Sequence, residues 1–119
     1  MNITTTAQNF ETSTPLDTFV RSRLHNAFEK LDTDVIAIDV FMKDINGPKG
    51  GIDKLVLIRV QLPNRQVVTI ESQHENMYAA IRNGVKRARH AVRRQLRKSR
   101  QIDKQRITEF AMPAVPKVP

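Results

Sequence analysis

The sequence predicts an α+β fold with the element order βαβββα, in which a four-stranded sheet carries both helices on one face. Four segments alternate apolar and polar residues with the period of two that is typical of strands. Two longer segments place apolar residues three and four positions apart, as amphipathic helices do. A strand, a helix and three further strands favour one right-handed crossover followed by an antiparallel meander.

The first strand and the first helix are predicted from the N-terminal third of the chain. Met1 to Ala7 alternates regularly and includes three β-branched threonines, which predicts a short strand. Thr14 is the predicted N-cap of the helix and Pro15 its first helical residue. Apolar residues then follow at helical spacing: Leu16, Phe19, Val20, Leu24, Ala27, Phe28 and Leu31. The helix is expected to end at Asp32 to Asp34.

Three more strands are predicted over Val35 to Lys43, Lys54 to Leu62 and Val67 to Ser72. Alternation assigns the core face to Ile36, Ile38, Val40, Met42, Val56, Ile58, Val60, Leu62, Val68 and Ile70. Between the last two strands, Pro63 and Asn64 suit positions i+1 and i+2 of a turn.

The last predicted element is a long helix from Met77 to Arg100, with Asn76 as its cap. Its apolar stripe consists of Met77, Ile81, Gly84, Val85, Ala88, Val92 and Leu96. Gly84 lies on this inner stripe, where it would allow the helix to approach the sheet closely. Two basic rows lie beside the stripe, with His90 between them: Arg82, Lys86, Arg89, Arg93, Arg97 and Arg100 in one, and Arg87, Arg94 and Lys98 in the other.

The positive charge of the chain is concentrated on this helix. Residues 76–106 contain eleven Lys or Arg and one Asp, a net +10, whereas the whole chain carries +8 and the remainder therefore −2. A solvated surface helix usually mixes acids with bases, so the near absence of acids favours an anionic partner. A phosphate backbone fits such a surface. RNA is favoured over DNA because no helix-turn-helix is apparent and two helices on a sheet are common among RNA-binding proteins.

A glycine-rich connection, Asp44 to Asp53, joins the second and third strands and contains three of the four glycines. It does not match a phosphate-binding P-loop. It is either a hairpin connection or an accessory phosphate site that uses Lys49 and Lys54.

The composition limits the remaining function classes. The chain has 119 residues, a size suited to one domain, and no cysteine, no apolar run of membrane-spanning length and no signal-peptide pattern. His25, His74 and His90 lack the spacing of metal ligands. We therefore expect a cytoplasmic protein that is not an enzyme, with no catalytic residues, cofactor, metal, membrane or small-molecule substrate.

The sheet face opposite the helices is predicted to be mixed in polarity. Alternation places Val35, Phe41, Leu55, Leu57 and Val67 there, beside Asp39, Lys43, Arg59 and Glu71. Such a face is either ordinary surface or a contact for a second copy or another protein. A monomer is favoured.

Two stretches resemble the ribosome hibernation-promoting factor and ribosome-associated inhibitor family. These are QNFETSTPL, which leads into the first helix, and HENMYAAIRNGVKR at the start of the second. The most specific part, Glu75 to Ile81, is similar to the family's E-D-M-Y-x-A-I motif. The resemblance spans about Met1 to Arg100 and implies the family's βαβββα fold, which is similar to double-stranded-RNA-binding domains.

The resemblance implies a stress or stationary-phase factor that inhibits translation. Such proteins bind rRNA in the mRNA and tRNA channel of the small ribosomal subunit. The rRNA-binding residues would be the basic side chains of the second helix, foremost Lys86, Arg87, Arg89, Arg93, Arg94 and Arg97. The alternatives are a general structured-RNA or DNA binder and a protein-interaction module on the same fold. We expect a domain at 1–100 and a basic, proline-containing, disordered extension at 101–119.

Overall fold

The computed structural model describes residues 1–8, 10–45 and 53–111, without the side chains of 32–33 and 99–111. The elements are β1 (Asn2–Gln8), α1 (Thr14–Phe28), a 3-10 helix (Glu29–Asp34), β2 (Ala37–Asp44), β3 (Lys54–Gln61), β4 (Val67–His74) and α2 (Met77–Ala111). This order confirms the predicted βαβββα fold.

The four strands form one sheet in the order β1-β2-β3-β4. β1 pairs in parallel with β2, while β2–β3 and β3–β4 are antiparallel. The parallel pair is the one whose connection contains α1, because parallel strands need a long crossover. The last three strands form the predicted meander.

One face of the sheet and both helices share a single core. The sheet contributes Ile38, Val40 and Met42 from β2 and their cross-strand partners Val60, Ile58 and Val56 from β3. α1 contributes Leu16, Val20, Leu24 and Phe28, and α2 contributes Ala80, Ile81, Val85, Ala88, Val92 and Leu96. With the exception of Ala80, these residues are the ones that the two periodicities assign to the interior.

The prediction for the entry into β2 is wrong by one residue. Val35 is buried at 3% exposure, whereas Ile36 is 53% exposed, the reverse of the expected alternation. The Ile36 amide donates to the Gln61 carbonyl at 2.9 Å, although the regular partner of Gln61 is Ala37. This offset interrupts the strand geometry before Ala37, so alternation holds only beyond it.

Capping side chains begin both helices. The N-cap of α1 is Ser13, whose hydroxyl accepts from the Leu16 amide at 3.2 Å, and not Thr14 as predicted. Asn76 caps α2 as predicted, since its Oδ1 accepts from the amides of Tyr78 at 2.8 Å and Ala79 at 3.4 Å. Each cap satisfies amide donors that the helix itself leaves without an acceptor.

The β3–β4 turn is built one residue later than predicted. Pro63 occupies position i, and its carbonyl accepts from the Gln66 amide at 3.5 Å. The central residues are Asn64 and Arg65, both with φ of 63°. Two positive φ angles are typical of the type I′ turn, whose twist matches that of the flanking strands.

The backbone of α2 stays helical to Ala111, beyond the predicted end at Arg100. Residues 101–111 continue this helix, and their sequence has no glycine or proline and many good helix formers. The disordered extension at 101–119 stays a prediction. Residues 112–119 lie outside the described residues.

Candidate nucleic-acid interface

The outward side of α2 carries a continuous cationic surface. The exposed members are Arg82, Lys86, Arg87, Arg93, Arg94, Arg97 and Lys98, with Arg89 half-buried beside them. We call these eight residues the α2 cationic surface. Among the described side chains, no ion pair joins a member of this surface to a carboxylate.

Burial of the apolar stripe fixes the orientation of this surface. Ile81, Ala88 and Val92 are fully buried against the sheet and α1. Since residues three and four apart share a helix face, burying one stripe directs the intervening positions to solvent. The fold thus exposes cations whose mutual repulsion weakens the helix by a few tenths of a kcal/mol per i,i+4 pair.

A groove of about 450 Å³ lies between α1 and α2. It is lined by Arg23, Asn26 and Ala27 of α1 and by Arg82, Asn83, Val85, Lys86, Arg89 and His90 of α2. The lining is positive because it contains Arg82, Lys86 and Arg89 of α2 together with Arg23 of α1. The side-chain amides of Asn26 and Asn83 lie beside these cations. Such a concavity can hold phosphate oxygens through charge-assisted hydrogen bonds.

Sequence reasoning missed the contribution of α1. Arg23 and Asn26 are exposed residues on the polar side of an ordinary amphipathic helix. Nothing in their spacing distinguishes them, because their place in the groove lining depends on which edge of α1 lies beside α2. Only the packing of the two helices reveals it.

A second concavity, of about 390 Å³, lies further along α2 and is lined by His90, Arg93, Arg94 and Arg97. His90 borders both concavities, as its predicted place between the basic rows suggests. The two concavities follow one another along the α2 cationic surface. This arrangement suits successive phosphates of one RNA strand.

Arg87 differs from its neighbours because part of its guanidinium is already engaged. Its Nη1 donates to the backbone carbonyl of Glu71 in β4 at 2.6 Å. This bond fixes the side chain against the sheet edge. A guanidinium has five donors, so others remain available to an anion.

An aromatic pair lies at the beginning of α2. The rings of Phe19 and Tyr78 meet edge to face, with centroids 4.9 Å apart and planes at 72°. The guanidinium of Arg23 lies over the Phe19 ring, 5.4 Å from its centroid. Arg23 therefore connects the aromatic pair to the groove that it also lines.

No helix that the structure describes is both long and apolar enough to cross a bilayer. Within the described ranges, no cluster of His, Cys, Asp or Glu side chains could hold a metal ion. The groups that the interface offers are cations, amides and aromatic rings.

Residues 3–100 match the model of one protein family, described as sigma 54 modulation protein / S30EA ribosomal protein. The chain belongs to this family. That finding confirms the resemblance to hibernation-promoting factors and indicates a ribosome-associated binding factor. S30EA proteins are binding factors and not catalysts, which confirms that the chain is not an enzyme.

Two solved structures are similar to this S30EA protein. The Protein Y N-terminal domain of Thermus thermophilus is 26% identical, covers 79% of this chain and 98% of its own, and superposes with a TM-score of 0.65. A ribosomal subunit interface protein from Coxiella burnetii is 23% identical, covers 85% and 99%, and has a TM-score of 0.63. The second likeness supports the fold alone. No curated protein sequence matches the chain.

Of the predicted accessory contacts, Lys54 is already paired. Its Nζ lies 3.0 Å from Asp44 Oδ2 and 3.1 Å from Asp53 Oδ2. These hydrogen bonds, first to Asp44 and then to Asp53, raise the pKa of the Lys54 ammonium. Lys49 and the side chain of Arg100 lie outside the described residues, so their roles stay predictions.

Proposed function

We propose that this protein is a ribosome hibernation factor that inhibits translation by binding rRNA of the small subunit. It acts under stress or in stationary phase, in the cytoplasm, and occupies the channel used by mRNA and tRNA. The family assignment and the α2 cationic surface support this proposal. The observation that carries it is the exposure of that surface without carboxylate partners among the described side chains.

The α2 cationic surface suits rRNA because arginine predominates in it. A planar guanidinium can bind one phosphate through two parallel hydrogen bonds. Six of the eight members are arginine. Because phosphates lie along every RNA strand, discrimination would come mainly from the shape of folded rRNA and not from base edges.

The binding unit is proposed to be residues 1–100, acting as a monomer. Arg100 and Lys49 would add contacts to those of the α2 cationic surface. Lys54 is a weaker candidate because two carboxylates already neutralise it. The open sheet face, which is the face opposite the helices, is proposed to be ordinary surface. The alternative is that it contacts a second copy or another protein.

Reversal of three charges tests the proposal. The variant Arg89→Glu, Arg93→Glu, Arg97→Glu should lose co-sedimentation with small ribosomal subunits, because three attractive phosphate contacts become repulsive. The fold should survive, since Arg93 and Arg97 are exposed and Arg89 is only half-buried. Circular dichroism checks folding.

A matched control separates position from net charge. Lys30→Glu, Arg59→Glu, Arg65→Glu changes three exposed cations on the 3-10 helix, the open sheet face and the β3–β4 turn. Both variants lower the net charge by six, from +8 to +2. The control should still co-sediment. Equal binding by both variants, or equal loss in both, would argue against α2 as the contact.

A general structured-RNA or DNA binder is the second candidate, because a phosphate-binding surface alone does not select rRNA. In that case the wild-type protein would bind an unrelated duplex as tightly as it binds small subunits.

A further inference from the structure

Tyr78 is an exposed aromatic residue that packs against Phe19, whose ring also contacts the groove residue Arg23. It is 38% exposed and is the only tyrosine in a sequence without tryptophan. Phe19 is half-buried and packs against the core, whereas Tyr78 packs against Phe19. An edge-to-face contact with one ring leaves at least one face of the Tyr78 ring uncovered by its partner.

Cations flank this uncovered ring from both helices. Arg23 lies one helical turn beyond Phe19 on α1, and Arg82 lies one turn beyond Tyr78 on α2. Residues four apart on a helix are neighbours on its surface. Both arginines also line the groove between the helices. Tyr78 does not line the groove itself, but two guanidinium groups that do line it come from residues next to the aromatic pair.

The backbone amides at the N-terminus of α2, next to Tyr78, are not the groups that would bind a phosphate there. The Asn76 side chain accepts from the amides of Tyr78 and Ala79, so it already uses donors that a phosphate would need. A phosphate near Tyr78 would therefore bind to the arginines.

We propose that Tyr78 is a stacking site for one unpaired RNA base, whose flanking phosphates bind Arg23 and Arg82. This inference rests on the proposed function and adds the stacking of one base to the recognition of RNA shape. A base held within a duplex has no free face, whereas a bulged or looped base can stack on an aromatic ring. The protein would then prefer rRNA positions where such a base lies beside a double-stranded segment.

Two RNA hairpins test the stacking site. One carries a single bulged adenosine, and the other carries an abasic nucleotide at the bulge, so their phosphates are equal. Wild-type protein should bind the first about 5- to 150-fold more tightly, the range expected for one stacked base. Fluorescence anisotropy of a label on the hairpin measures both affinities.

The preference should disappear in Tyr78→Leu and persist in Tyr78→Phe, which keeps the ring. Val67→Ala is the matched control, because Val67 is also exposed, at 45%, but lies on β4, away from the groove lining. It should keep the preference. Tyr78 also provides a fluorescence signal for binding, since it is the only tyrosine in the sequence and all tyrosine emission comes from it. The bulged hairpin should quench that emission more strongly than the abasic hairpin.

Equal wild-type affinity for both hairpins, or a preference that survives in Tyr78→Leu, would overturn the inference. Should Tyr78→Leu fail to fold, the wild-type preference and the quenching still decide. Co-sedimentation of the wild type with small subunits is measured in parallel. Loss of the hairpin preference with intact subunit binding would reject the stacking site alone, whereas absent subunit binding would reject the proposed function.

Discussion

Arg65 has an unfavourable backbone conformation in the β3–β4 turn. Its φ is 63°, as is that of Asn64. Asparagine tolerates the left-handed region because its short polar side chain can bond locally, whereas other L-residues pay roughly 1–2 kcal/mol there. The type I′ turn prefers glycine at the second central position. The sequence therefore has a suitable residue at only one of the two positions.

Replacing Arg65 with glycine should stabilise the protein. Relief of the strain is partly offset by the greater freedom of glycine in the unfolded chain, which costs roughly 0.4–1 kcal/mol. We expect the free energy of unfolding to rise by up to about 1 kcal/mol. Urea denaturation measures it.

Arg65→Ala is the control, because alanine keeps the strain while it removes the guanidinium. It should lie within about 0.5 kcal/mol of wild type. An equal gain in the alanine and glycine variants would show that the arginine side chain, and not the backbone, was unfavourable.

Among the elements, α2 depends on close contact with the sheet at Gly84. A Cβ added there would lie 3.1 Å from Ile58 Cδ1 and 3.4 Å from Ser72 Cβ. A methyl group at this position would therefore require the Ile58 side chain to shift by a few tenths of an ångström. A glycine within a helix costs about 1 kcal/mol relative to alanine, and the close contact offsets that cost.

Gly84→Val should destabilise the protein by about 1–3 kcal/mol, the usual cost of overpacking a well-filled core. The two γ-methyl groups would extend from a Cβ that already meets Ile58. The midpoint of urea denaturation measures the loss. Ala91→Val provides a control at a half-buried position of the same helix, where the change should cost under about 1 kcal/mol. If Gly84→Val unfolded at the wild-type midpoint, the close contact would not be needed.

The elements themselves were predictable because their signals are local. The periods of two and 3.6 identified every strand, both helices and most of the core, including the inner position of Gly84. Irregular positions were less predictable. Ser13 and Thr14 are adjacent residues of types that both cap helices, although serine is the better of the two. Ile36 is exposed by a pairing offset that the sequence pattern does not encode.

The candidate site was predictable only in part. The basic rows of α2 follow from the periodicity of that helix alone, so no other part of the sequence is needed to predict them. The groove requires Arg23 and Asn26, and the stacking site requires Phe19 beside Tyr78. These contacts join residues more than fifty positions apart, and no periodicity within either helix relates them.

At the scale of the whole molecule, charge is segregated. The segment at 76–106 carries +10, while the remainder of the chain carries −2. A one-signed surface attracts polyanions and raises their association rates, and salt screens this attraction. The sheet and α1 act as the scaffold that holds the charged helix in one orientation.

We infer that the protein binds small subunits through many phosphate contacts and recognises the shape of rRNA. If six to nine cations each neutralise one phosphate, log K should fall against log salt with a slope of roughly −4 to −8. Affinity should then drop by about two to five orders of magnitude between about 50 and 200 mM salt.

The most direct measurement is a salt titration of binding to purified small subunits beside an unrelated RNA duplex. We expect a steep slope together with a clear preference for the subunits at every salt concentration. A steep slope with equal affinity for both would contradict the ribosomal function and leave a general nucleic-acid binder. A slope near −1 would mean that about one phosphate is engaged, which would contradict the role of the α2 cationic surface itself.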